Sequence, residues 1–131
     1  MDLSKLGTSK KAETGAELVL RHPVTDEKTD ISLSLVGSDS SRYRKASHAV
    51  QNRSLSRGKF KVTAEKLESN GIEILATCVI GWSNVEDADL FKKKNPECNK
   101  ENVVKFFKKH VWAKEQADAF VVDRANFLEN V

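Results

Sequence analysis

Trp112-Ala113-Lys114-Glu115-Gln116-Ala117-Asp118-Ala119-Phe120-Val121-Val122-Asp123-Arg124-Ala125-Asn126-Phe127-Leu128 is the stretch around which the rest of the chain is arranged. At helical period Trp112, Ala113, Gln116, Ala117, Phe120, Val121, Arg124 and Leu128 share one face, widened by Ala119 and Phe127. Lys114, Glu115, Asp118 and Asp123 fall off it. An apolar band wider than about 100° is what a helix packed into a globular core presents. Fully burying each large apolar side chain is worth roughly 1.5–3 kcal/mol, so this stretch is read as the main core helix. Helical periodicity does not by itself explain why it should finish on Asp-Arg-Ala-Asn-Phe.

Working back from that helix, Asn99 is placed to cap a shorter one over Lys100 to His110, with Val103, Val104, Phe107 and Val111 inward. A charged connector, Val85 to Pro96, holds the pair Leu90-Phe91 and the run Lys92-Lys93-Lys94. Before it, Thr63 caps a second core helix running from Ala64 to about Ile80. Leu67, Gly71, Ile74, Leu75, Cys78, Val79 and Trp82 form its stripe, and Gly81 suits a left-handed C-terminal stop. A thinner helix is expected from about Ser40 to Leu55, capped by Ser38 or Asp39, with only Tyr43, Ala46, Val50 and Leu55 apolar. A loop containing Gly58 follows it.

Nearer the start, Ile31, Leu33 and Leu35 alternate with Ser32 and Ser34, the period of a strand with one buried side. With Ala16 to His22 and the polar segment opened by Pro23, this reads as a β-hairpin with a wide loop. An isolated hairpin is marginal in water, so its apolar face must pack on helices. Residues 1–14 are polar and are expected as a flexible N-terminal arm anchored at most by Leu3 and Leu6; residues 15–131 are expected as a single globular domain. The fold class is therefore α+β, mostly α-helical, with about four helices and an N-terminal β-hairpin.

A chain of 131 residues suffices for one core. It is 31% charged and 39% hydrophobic, more polar than an average domain. Six Phe, two Trp and one Tyr still separate it from a disordered composition. No apolar run near the N-terminus resembles a signal peptide, and none reaches the roughly 18 residues of a membrane span. A cytosolic protein with no membrane partner is expected. Cys78 and Cys98 form no CxxC pair; they read as free thiols, Cys78 on an apolar helix face and Cys98 exposed.

Residues placed for chemistry are few. His22, His48 and His110 sit in separate segments without metal-ligand spacing, and no nucleophile elbow, phosphate loop or dinucleotide turn is present. No catalytic, metal or cofactor site is expected, and the chain reads as a binding protein rather than an enzyme.

Charge is more informative. Arg42, Arg44, Lys45, Arg53, Arg57, Lys59 and Lys61 crowd one stretch without an acid, whereas Glu115, Asp118, Asp123 and Glu129 outweigh Arg124 in the last one. Such asymmetry marks either nucleic-acid contact or an interface where the basic part of one subunit meets the acidic part of another. A net charge of +3 is too small to argue for nucleic acid, and only Tyr43 and Phe60 interleave with the cations as bases would require. Arg42, Tyr43, Arg44, Lys45 and Arg53 are the candidate partner-binding residues of one surface. Arg124 and Phe127 belong to a second, with Arg124 expected to pair with an acid from another element.

Several short motifs, in order, resemble the tail assembly chaperones of long-tailed, non-contractile bacteriophages. They are Met1-Asp2-Leu3-Ser4-Lys5-Leu6, Gly15-Ala16-Glu17-Leu18 with His22-Pro23-Val24-Thr25, Ser41-Arg42-Tyr43-Arg44, Thr63-Ala64-Glu65 and Gly81-Trp82. The series ends with Asn102, Trp112, Gln116, Asp118-Ala119-Phe120, Asp123-Arg124-Ala125 and Asn126-Phe127-Leu128. The basic stretch Phe91 to Lys100 departs from the pattern. The resemblance implies a non-structural morphogenetic protein of the host cytoplasm, absent from the mature virion. Such a protein transiently binds the tape measure protein and the tail tube protein and associates with itself. Two other readings are a structural tail component, such as a tube terminator or joining protein, and a small nucleic-acid-binding regulator.

Overall fold

The computed structural model of the protein describes residues 2–56 and 63–128. The expected loop around Gly58, with Arg57, Lys59, Phe60 and Lys61, and the terminal Glu129 lie outside them. In chain order the elements are α1 (Ser9–Thr14), β1 (Ala16–Arg21), β2 (Lys28–Leu35), α2 (Ser41–Ser56), α3 (Ala64–Cys78), β3 (Val79–Ser83), α4 (Lys100–Lys109) and α5 (Val111–Val122). Short 3-10 turns stand at Leu3–Lys5 and Arg124–Phe127. The fold is α+β and mostly helical, and it carries the N-terminal hairpin.

The sheet is antiparallel, in the order β1-β2-β3. Leu18 pairs with Leu33 and Ala16 with Leu35 on one side of β2; Trp82 and Val79 take the same two β2 residues on the other. The alternation of β2 works as its sequence suggests. Leu33 and Leu35 are fully buried, and with Leu20 they face Ile72, Leu75 and Cys78 of α3, Val103 and Phe107 of α4, and Ala113, Ala117 and Val121 of α5. Ala113, Ala117 and Val121 recur every four residues, and their small size lets α5 approach the sheet closely.

Several expectations need correction. Residues 79–83 are a strand and not the end of a helix. Val79, Ile80 and Trp82 favour extended backbone, and a third strand relieves a hairpin that would be marginal alone. Gly81 lies within that strand opposite Ser34 rather than in a left-handed cap. The buried face of α3 is Ile72, Leu75, Ala76 and Cys78, while Leu67 is exposed, because the first turns of α3 project beyond the core. The long terminal helix stops at Val122. There Asp123 leaves helical dihedrals and its carboxylate accepts from Ala125 N, starting the 3-10 turn.

Residues 1–14, read as an arm, hold a 3-10 turn and α1. The anchor is Ala12, buried against Gly37 and Phe127, and not Leu3 or Leu6, both exposed. Gly37 allows a close approach there: a Cβ would lie 3.0 Å from both Ala12 Cβ and the Phe127 ring, tighter than an ordinary contact. Gly15, which follows α1, has φ +93°, a conformation that favours glycine. Cys98, expected exposed, is half-buried against the core.

The connector from 85 to 99 is pinned by chemistry that its charge obscures. Val85 and Phe91 are buried, and Trp82 Nε1 donates to the Pro96 carbonyl at 2.9 Å. Asp87 accepts from Lys109 Nζ at 2.7 Å and contacts His110 Nε2 at 2.9 Å. Asn99 caps α4 as expected, accepting from Asn102 N at 2.9 Å.

Candidate functional site

The basic helix α2 is built on a buried serine. Ser40, not Ser38 or Asp39, caps it: its hydroxyl accepts from Tyr43 N at 3.1 Å and donates to the Gly37 carbonyl at 2.6 Å. The Glu13 carboxylate, at the end of α1, accepts from Ser41 N and Oγ. A carboxylate at a helix N-terminus is favoured both by the free N–H groups and by the helix dipole. The thin apolar stripe of α2 meets α3, and Val50 is its one buried side chain among the described residues. The helix therefore keeps most of its circumference exposed.

Along the side of α2 facing α3 and β3 runs an open groove of about 610 Å³. Its floor is apolar, made by Val36, Ala46, Ala49 and Ile80; Ile80 is 43% exposed. Arg42, Lys45 and Lys100 stand on its rim, with Glu13 and Glu73. A second hollow of about 390 Å³ shares Arg42, Thr77, Ile80 and Lys100 with the first and reaches Cys98 and Asn99. The two form one trough.

The charges around it are unequally engaged. Glu73 receives Arg53, and Lys100 at 3.3 Å. These contacts, Arg53 first, hold its carboxyl below the usual range. Glu13 is occupied at the α2 cap. Among the described residues Arg42 reaches the Thr77 carbonyl, at 3.4 Å, and no acid, and Lys45 has no acidic partner there either. Two cations three residues apart on α2 are thus left facing an apolar floor.

The residues singled out from the sequence do not form one surface. Arg42 and Lys45 line the groove, and Arg53 joins it through Glu73. Tyr43 turns inward and packs against the core, where burial raises its phenol pKa. Arg44 points the other way, donating to the Asp39 carbonyl at 3.0 Å. Phe127 is 1% exposed and has no surface to offer a partner.

Arg124 pairs with an acid from another element, as expected, although from the 3-10 turn and in an exposed position. Its Nε lies 2.8 Å from Asp39 Oδ2 and its Nη2 3.0 Å from Oδ1. Thr8 Oγ1 donates to the same carboxylate at 2.6 Å. These bonds, led by the one from Arg124, hold the Asp39 carboxyl below the usual range. Ile80, Lys100 and Glu73 were missed as groove residues. They come from α3, β3 and α4, and no spacing in the chain brings them together.

Among the described residues no group of three or more His, Cys, Asp or Glu side chains is placed to hold a metal ion, and no helix is long and apolar enough to cross a membrane. Burial pushes the Cys78 thiol up to about 12 and raises Cys98 as well, the opposite of what a nucleophilic thiolate needs. What the arrangement offers is an open trough of mixed apolar and cationic lining. No family model, characterised protein or solved structure matches this chain.

Proposed function

We propose that the chain is a tail assembly chaperone of a long-tailed, non-contractile bacteriophage. It binds the tape measure protein, and the tail tube protein, transiently during tail assembly in the host cytoplasm, and it is absent from the finished particle. The observation that carries this reading is the ordered series of short motifs from Gly15-Ala16-Glu17-Leu18 to Asp123-Arg124-Ala125-Asn126-Phe127. Support comes from the trough beside α2. An open channel with an apolar floor and cations on its rim can receive the apolar face of a helix by the helix-in-groove mode. Binding without catalysis needs nothing further.

The test is whether a tape measure protein from the same genome is retained by the chain, and whether Ala46→Asp with Ala49→Asp, placed on the groove floor, abolishes retention while the far-UV circular dichroism stays native. Retention that is indifferent to these substitutions would place the client elsewhere. Protein analysis of purified particles separates this reading from a structural tail component: a chaperone is missing from them.

A further inference from the structure

Helix α5 carries a second surface that the core does not use. Val111, Glu115, Asp118, Ala119 and Val122 are all exposed, and their spacing of four, three, one and three residues lines them along one outer stripe. Val111 is 40% and Val122 52% exposed, so two aliphatic side chains flank two acids and a small residue. Neither acid has an ion-pair partner among the described residues.

The groove beside α2 is the counterpart of this stripe. It has an exposed aliphatic side chain in Ile80, small residues in Ala46 and Ala49, and the cations Arg42 and Lys45, neither with an acidic partner among the described residues. The cations are three residues apart on α2, as the acids are on α5, so the Cβ atoms of each pair stand about 5–6 Å apart on one helix face. Helices α2 and α5 both pack against α3. A two-fold pair of copies can make the contact between groove and stripe twice.

We infer that the groove is filled by the outer face of α5 from a second copy of this chain, with Arg42 and Lys45 of one copy opposite Glu115 and Asp118 of the other. This rests on the two stripes and not on the tail-assembly reading, so either can fail without the other.

The experiment is sedimentation velocity of the whole chain over a range of concentrations, at low and high salt. Two double variants accompany it, Arg42→Glu with Lys45→Glu and Glu115→Lys with Asp118→Lys. All four side chains are exposed, and circular dichroism checks that each variant folds. The native chain is expected to pass from monomer towards dimer with concentration, less readily at high salt. Each double variant should associate about tenfold more weakly or worse. An equimolar mixture of the two should recover association, because each reversed surface then meets its complement. A native chain that stays monomeric, an association that neither reversal weakens, or a mixture that stays apart would each overturn the inference.

Discussion

Asp39 is the residue at which three distant stretches meet. Its carboxylate holds Arg124 of the C-terminal turn and Thr8 ahead of α1, while Gly37 N donates to the Ala12 carbonyl and Ser38 N to that of Val121 nearby. This accounts for the ending that helical periodicity left unexplained: Asp123 starts the turn, Arg124 reaches Asp39, Asn126 Nδ2 ties back to the Phe120 carbonyl at 3.0 Å, and Phe127 is the buried plug. Removing the plug should cost about 3–5 kcal/mol in Phe127→Ala, read from urea unfolding. The acid adds a pH dependence. A carboxyl whose folded pKa is lowered contributes stability above its unfolded value, about 3.9, and loses it as pH falls towards the folded value. The urea midpoint of the native chain should therefore drop between about pH 5 and about pH 3, and drop less in Asp39→Asn. An equal slope in the two proteins would contradict the assigned role. Asp87, lowered by Lys109 and then by His110, works in the same direction. The thiols make a third check: with Cys78 fully buried and Cys98 half-buried, a thiol reagent should label Cys98 first and leave Cys78 unmodified until the chain unfolds.

At the scale of elements, the edge strand β1 is closed by a side chain. Gln116 on α5 accepts from Arg21 N at 2.8 Å and donates to the Arg21 carbonyl at 2.9 Å, the two bonds another strand would supply. Gln116→Ala should cost about 1–2 kcal/mol and speed amide exchange at Arg21, with little effect on β3. Gly71 is the opposite kind of position. A Cβ there meets nothing within 4 Å, so Gly71→Ala in the interior of α3 should stabilise by about 0.5–1 kcal/mol. Elements whose signal is local were legible in the sequence: the alternation of β2, and α4 with its Asn99 cap. β3 was not, because Val79 and Ile80 continue the apolar pattern of α3 and only pairing with β2 tells strand from helix. The 3-10 turn was hidden likewise, since the helical period runs through Phe127. Of the candidate site, Arg42 and Lys45 could be read from the charge pattern. The apolar floor could not, because Val36, Ala46 and Ile80 are brought together by the fold alone.

For the whole molecule, two exposed surfaces of opposite charge stand on a small α+β core, the trough beside α2 and the outer stripe of α5. If one groove serves a second copy and a client, the two compete. Tape measure protein added to the dimer should then release monomer in proportion to the complex formed, as followed by light scattering. The most direct test is co-expression of this chain with a tape measure protein from the same genome, followed by size-exclusion chromatography with light scattering. A chaperone should keep the tape measure soluble and co-elute with it at a defined mass ratio. A tape measure that stays insoluble while this chain elutes without it would contradict the tail-assembly function.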